Sequence, residues 1–579
     1  MNIYIENAKI RSANIRNNGK LQEITATKYL SDYFQKLGLS ICENADLNVN
    51  VNLDETANND TFSITLSNKE LTVNGGKRGV IYAVFSFLEL LGFRFFTPTL
   101  ETMPQKDVYL TDFSKTEDTP FEFRDVLSNG AGEKAWSLKQ KLNSNLWNIR
   151  KLKEEDGGGY DYAGIPAHSL CGAFLMKPFV DTHPEYFSLV NGERHTDRMG
   201  QICMTNDEAI VAVAEEACRV LRSDPEKNII SISQGDNRNF CQCPACQEAV
   251  KEQGLMQTYF KVVCKIAALI KKEFPKVLVH TLAYADLCAT IDFELEDNIM
   301  LQYCYGKCTT HALDDENCAM NRESAAQIVD MCKKCNNVHV WNYTNCFKHE
   351  LFEYPFVHNM RRNMRFFADA GVKGVFNEGM HRSDEETDFA VTMELRSYIL
   401  AKLMWNPYMS DEEFWNHIRE FCQAFYGKGG QYIVEYLHLF EELSGDCGSY
   451  DACGKAIVMG EESTVVIHTL QANKTKEFVT RANILLNKAS ALADKSQEYN
   501  INKLRTTVLY YELYHTMEDI LAYGTEQEKA QVLQKNSELI DRIIEQRLVI
   551  TFWGRFRKDQ NTELETMRET PPNKWNYKW

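Results

Sequence analysis

Between residues 121 and 388, short apolar segments of strand type recur at intervals filled by longer helical stretches, and no other feature constrains the fold as much. The segments are EFRDVLSN, NIISISQGDN, VLVHTLAYA, NIMLQYCY, NVHVWNYT and VKGVFNEG. Strands that alternate with helices lie parallel, because each crossover helix returns the chain to the same end of the sheet. The expected fold class is therefore α/β, a (β/α)8 TIM-type barrel over residues 119–395. Ahead of it, DLNVNVNL and TFSITLSN have strand alternation, and GVIYAVFSFLELL reads as an apolar helix entered through Gly75 and Gly76. Residues 1–118 are expected to form a small α/β accessory domain. After Asp388 strand signals stop, and runs such as MELRSYILAKLMW and DEEFWNHIREFCQAFYG predict a helical domain over residues 396–579, ending in the tail TPPNKWNYKW.

The chain has 579 residues, 44% hydrophobic and 25% charged, which is apolar content for more than one core. Its 81 acidic and 64 basic side chains give a net charge of -17, with no basic block to neutralise a phosphate backbone, so nucleic acid is not an expected partner. The N-terminus MNIYIENAKIRSANIRNNGK lacks an apolar signal-peptide core, and no segment is apolar enough to predict a membrane span. Eighteen scattered cysteines without an export signal are expected to be reduced thiols, and the expected compartment is the cytoplasm. The oligomeric state is left open, a homodimer among the options.

Most of the strand segments end in polar or aromatic residues, and in a barrel those ends gather at the face where catalysis occurs. No GxGxxG or GxxxxGK[ST] loop follows any of them, which disfavours a nucleotide site. Asp236 follows the run Ile229–Ser233, where its carboxylate would project from the barrel mouth; the competing reading is a turn residue capping the next helix. Glu378 stands between an apolar strand and Gly379, a position that turn or helix propensity explains poorly; there the competing reading is a structural ion pair. Two carboxylates at different strand ends are what glycoside hydrolysis requires, one to protonate the leaving oxygen and one to stabilise or create the attacking species. Tyr284, Tyr303, Trp341 and Tyr343 lie near strand ends, where flat faces could stack on sugar rings, although each could equally be core packing. His168, Asn237, His311 and Asn345 complete the candidate substrate-binding set. GxSxG and HExxH are absent.

The cysteine run FCQCPACQ (Cys241, Cys243, Cys246) and the pair Cys332 and Cys335 have spacings that a four-thiolate zinc site permits. The two groups are far apart in sequence and the second falls within an apparent helix, so no metal and no cofactor is expected.

GGKRGVIYAVFSFLELLGFRFFTPTLETMP, HPEYFSLVNGER, SISQGDNRNFCQCPACQ, HVWNYTNCF and NMRFFADAGVKGVFNEG occur in this order, and together they resemble the domain of unknown function 4838 group. Part of that group is classified as glycoside hydrolase family 163, with endo-β-N-acetylglucosaminidase activity on complex N-glycans. The resemblance covers roughly residues 60–405, and the N-terminal module resembles the domain preceding the barrel in α-glucuronidases and β-hexosaminidases. It implies a barrel glycosidase with an oligosaccharide substrate and Asp236 and Glu378 as its catalytic carboxylates, with His168, Trp341, Tyr343 and Asn345 as subsite residues. If the sugar carries a 2-acetamido group, that group can be the nucleophile, with Glu378 as acid/base and Asp236 polarising the acetamide. The alternatives are an α-glucuronidase-like inverting enzyme, which should need arginines at the mouth, and a non-catalytic carbohydrate-binding barrel.

Overall fold

The computed structural model describes residues 1–128, 131–146, 150–305, 311–344, 350–353, 357–379, 388–389, 391–444, 472–548, 550 and 560–575. Its first sheet has six strands in the spatial order Phe113–Glu117, Phe62–Ser67, Glu70–Gly75, Leu47–Leu53, Ser12–Asn17, Ser40–Ile41. In Leu47–Leu53 the apolar Leu47, Val49 and Val51 are buried while the intervening asparagines are partly solvated, the alternation of a half-buried strand. The helices Leu21–Lys36 and Gly79–Leu90 pack against this sheet, and Gly79–Leu90 is buried on nearly every side. The glycines before it serve close approach: a Cβ at Gly76 would fall 2.0 Å from the carbonyl oxygen of Asn58.

The second sheet has seven strands, all parallel, in the order Phe123–Leu127, Gly374–Glu378, Val338–Tyr343, Ile299–Tyr305, Leu278–Ala283, Ile229–Ser231, Tyr162–Ala163. It is a curled half-barrel with helices against its outer face. Asn143 to Asn145 run between its two edges: the Asn143 N–H donates to the Arg124 carbonyl (3.2 Å), and the Tyr160 N–H to that of Asn143 (3.0 Å). Residues alternate between two cores. Phe123, Ile229, Leu282, Met300, Trp341 and Phe376 meet on the inner face. Val126, Ile230, Val279, Leu301, Val340 and Val375 join the helices outside.

The inner face also carries polar groups. His280 shares hydrogen bonds with Ser231 (3.0 Å) and Gln302 (2.9 Å), and burial pushes its pKa down to about 4. Burial does the same to His339, down to about 3. Both imidazoles are therefore neutral near pH 7.

The crossover helices follow amphipathic logic. In Asp207–Ser223 the Asn206 side chain accepts from the Ala209 N–H (3.0 Å), a cap of about 1 kcal/mol, and Ile210, Val213, Ala214, Ala217 and Leu221 form the buried stripe. Met393–Trp405 is instead buried on all sides and joins the layers. Its Trp405 stacks on Phe62 of the first sheet, and its Ser397 hydroxyl bonds Ser128 beyond strand Phe123–Leu127. Beyond it lie Asp411–Phe425, Gly430–Ser444, Ala472–Ser490, Lys495–Tyr523 and Glu526–Glu545, the helical region expected from the sequence. Among the described residues no helix is long and apolar enough to cross a membrane.

Candidate active site

Glu378 is the last residue of its strand and points to the inner face, 8% exposed. Trp341, on the adjacent strand, donates its Nε1–H to Glu378 Oε2 at 2.8 Å, and its ring meets Phe376 edge-on. The backbone there is fixed independently: the Glu378 carbonyl accepts from the Thr344 N–H (2.8 Å) and hydroxyl (2.9 Å). Gly379 follows in a close passage: a Cβ there would lie 2.6 Å from the Met393 methyl and 3.0 Å from the Leu127 carbonyl oxygen, so a larger residue requires Met393 to shift.

Asp236 is exposed in the loop after Ile229–Ser231, and its Oδ1 accepts a hydrogen bond from the Tyr284 hydroxyl at 3.1 Å. Tyr284 stands just beyond strand Leu278–Ala283 and meets the His168 ring edge-on. His168 holds a left-handed backbone conformation, φ 54°, and its Nδ1 bonds the Gln234 carbonyl oxygen at 2.9 Å. A carbonyl only accepts, so Nδ1 carries the proton and, in the neutral ring, Nε2 is the acceptor.

Tyr343 links the two carboxylates electrostatically. Burial first, and then Cys304, Glu378, Tyr284 and Asp236, push its hydroxyl well above the usual tyrosine value. Burial, Asp236 and Glu378 act likewise on Tyr284. Both phenols stay protonated across the physiological range and can donate to a carboxylate or a sugar oxygen. Cys304, not singled out in the sequence, lies on the same inner face and is held as a neutral thiol by burial.

The other expected residues are placed differently. Tyr303 faces the helices: its hydroxyl donates to Gln327 Oε1 at 2.8 Å and its ring belongs to the outer core. One position of strand parity separates it from Cys304. Asn237 is committed to tying its loop to the segment ahead of helix Asp207–Ser223, accepting from Gln201 (2.8 Å) and donating to the Met199 carbonyl (3.0 Å). The His311 carbonyl accepts from Asn321 Nδ2 (2.9 Å), which sets it against the helical layer beside His358. Asn345 lies outside the described residues.

Sequence reasoning missed a buried ion pair under the site, Asp125 with Arg150 at 2.5 Å, whose guanidinium also donates to the carbonyls of Val126 and Ser144. Its signal was Asp125 inside an apolar strand. It missed Cys203 as well: Cys203, Cys241, Cys243 and Cys246 bring their sulfurs within 4.8 Å of one another, all buried. Among the described residues Cys332 and Cys335 join no such group. None of the described cysteines is joined in a disulfide.

The strand ends of the parallel sheet thus bring carboxylates, phenols and an indole together at one mouth, groups that can donate to and accept from a polar ligand. Residues 95–438 match the family model described as domain of unknown function (DUF4838), more than half of the chain, and the protein belongs to that family. No curated protein matches the sequence. Solved structures with which the chain shares similarity include a GH138 enzyme targeting pectin rhamnogalacturonan II, at 10% identity and a TM-score of 0.47, covering 95% of this chain and 94% of the other. A GH20 exo-β-N-acetylglucosaminidase from Vibrio harveyi matches at 10% identity and a TM-score of 0.40 over 74% of each chain. A β-N-acetylhexosaminidase from Bacteroides fragilis matches at 12% identity and a TM-score of 0.40, covering 70% of this chain and 89% of that one.

Proposed function

We propose that this protein is a glycoside hydrolase that cleaves β-linked N-acetylglucosamine-containing glycans with retention of configuration, the substrate's 2-acetamido group acting as nucleophile. The observation that carries the reading is the pairing of two carboxylates with two aromatic donors at one mouth: Glu378 with the Trp341 indole, Asp236 with the Tyr284 phenol. Glu378, buried beside apolar rings, is the acid/base that protonates the leaving oxygen and later activates water. Asp236, held by Tyr284, orients and polarises the acetamide, and the faces of Trp341 and Tyr343 line the sugar subsite. In this reading residues 143–145 act as the eighth strand of a (β/α)8 barrel, with domains over 1–118, 119–395 and 396–579. Described cysteines that form no disulfide fit a reducing compartment.

An acidic sugar, as in the glucuronidase-like alternative, calls for an arginine open to its carboxylate. Near Asp236 the described Arg238 is paired with Asp286 (3.2 Å), and Arg150 is spent on Asp125, which favours the acetamido substrate. The test is a screen against aryl glycosides and reducing-end-labelled N-glycans, with products followed by mass spectrometry and NMR. The expected result is release of an N-acetylglucosamine-containing product, first as the retained anomer, with tight inhibition by a thiazoline that mimics the oxazolinium ion. An inverted first product, cleavage of glucuronosyl substrates and indifference to the thiazoline would overturn the reading.

A further inference from the structure

We propose that Cys203, Cys241, Cys243 and Cys246 bind one zinc ion as a tetrahedral four-thiolate site, which fastens the loop bearing Asp236 to the segment ahead of helix Asp207–Ser223. The distances set the chemistry. A zinc ion with four sulfurs at about 2.3 Å places those sulfurs about 3.8 Å apart, the edge of the tetrahedron. Cys203 Sγ lies 3.5 Å from Cys241, 3.7 Å from Cys243 and 3.8 Å from Cys246. A disulfide would need about 2.0 Å.

The surroundings are those of thiolates. Four thiolates around Zn²⁺ leave two negative charges, and the Arg194 guanidinium stands 3.9 Å from Cys241 Sγ. The Leu189 N–H donates to Cys241 Sγ at 3.3 Å, and the Thr205 hydroxyl lies 3.2 Å from Cys246 Sγ. Cys243 precedes helix Pro244–Gln253 and Cys246 sits in its first turn, where the amide dipoles favour a negative sulfur. Four neutral thiols packed as small apolar groups would call for none of these partners. All-sulfur tetrahedral ligation suits zinc among the abundant divalent ions, and a closed set with no fifth ligand position is structural rather than catalytic.

The fold explains why a clamp belongs here. Cys203 and Cys241 to Cys246 lie on opposite sides of a crossover, more than thirty residues apart in sequence, and Asn237 bridges the same two segments through Gln201 and Met199. Asp236 adjoins that bridge, so the ion would hold the loop whose carboxylate faces Tyr284. The metal site does not depend on the glycosidase reading and is tested without assaying activity.

The experiment is elemental analysis of untagged protein made in zinc-supplemented medium and dialysed against metal-free buffer. The expected result is about one zinc per chain, retained in Cys332→Ser/Cys335→Ser and lost in Cys203→Ser and Cys246→Ser. Because those last variants could fail to fold, a second measurement uses the wild-type chain: exchange of the bound metal for Co²⁺ should give the intense visible absorption of tetrahedral thiolate cobalt. Chelation should lower the melting temperature by several degrees. A wild-type chain with less than about a tenth of a zinc, iron in its place, zinc retained by Cys203→Ser, or cobalt without a thiolate spectrum would each overturn the proposal.

Discussion

The Glu378 carboxylate has one oxygen on the Trp341 indole and stands among apolar rings, and Asp236 is solvent-facing with a phenol as partner. Glutamine at 378 keeps an oxygen for the indole but cannot give up a proton, and asparagine at 236 keeps an oxygen for Tyr284 without the charge. Glu378→Gln and Asp236→Asn are therefore expected to lower turnover by at least ~100-fold with thermal unfolding nearly unchanged, measured by kinetics and calorimetry on the same preparations. Normal turnover in either variant would remove that residue from the mechanism. The two tyrosines supply the contrast. Tyr343→Phe is expected to cost activity, whereas Tyr303→Phe should cost only about 1 kcal/mol of stability through the lost bond to Gln327 and leave kinetics intact. Equal kinetic effects would mean that strand parity does not divide site from scaffold. Glu378 stands out in the sequence because it follows an apolar run and neither helix nor turn propensity accounts for it, whereas at Asp236 a turn residue capping the next helix reads as well as a functional carboxylate. The choice between Tyr303 and Cys304 was not legible, since both faces of a parallel strand are buried and hydropathy does not alternate. What marks the inner face is the polar residue on it, Gln302 or His280.

Helix starts divide into those a local pattern announces and those completed from afar. Ser410 with Glu413 and Thr525 with Glu528 form capping boxes visible in the sequence. Helix Val357–Ala370 has no such signal: the N–H groups of Val357 and His358 donate, each at 3.1 Å, to the carboxylate of Glu441, 84 and 83 residues onward. The cysteine cluster escaped for the same reason, its fourth member lying on another crossover. Burial raises Glu441 to about 7, and the two N–H bonds offset this only in part. The sign follows from a folded value above the ordinary 4.5: there is no penalty while both states are protonated, a growing one from pH 4.5 to 7, and the full penalty above 7. Glu441→Gln keeps an acceptor for the helix and removes the titration. Thermal unfolding at pH 5 and pH 8 is expected to show the variant gaining on wild type at the higher pH. A difference independent of pH would mean that Glu441 does not ionise at the helix end in this range.

The division into an N-terminal α/β module, a parallel sheet with helices and a helical end could be read from the rhythm of the chain, but the way these parts are fused could not. Beside the stacking of Trp405 on Phe62, charges far apart in sequence meet at the junction. Asp60 of the first module pairs with Arg78 (2.6 Å) and with Arg124 (3.2 Å), which comes from the first strand of the parallel sheet. Asn143, at the join between the edges of that sheet, adds a bond to the same carboxylate (3.4 Å). Burial works against the Asp60 charge, yet the two guanidinium groups outweigh it and hold the carboxyl at about 2. With the folded value below the ordinary 3.8, the triad contributes fully above about pH 4 and is lost as the pH falls toward 2, so acid should act first at this junction. Asp60→Asn leaves two buried guanidiniums without their counter-charge, which costs about 3–5 kcal/mol for a broken buried pair. That loss falls on the contact between modules, away from Glu378 and Asp236. Calorimetry of Asp60→Asn at pH 7 is expected to show the first sheet unfolding at a lower temperature than the parallel sheet, as a separate transition, and the acid midpoint of the variant should no longer track the ionisation of residue 60. A variant that unfolds at the parent temperature, or loses activity at 25 °C while its junction stays folded, would show that the triad is not what binds the two modules together.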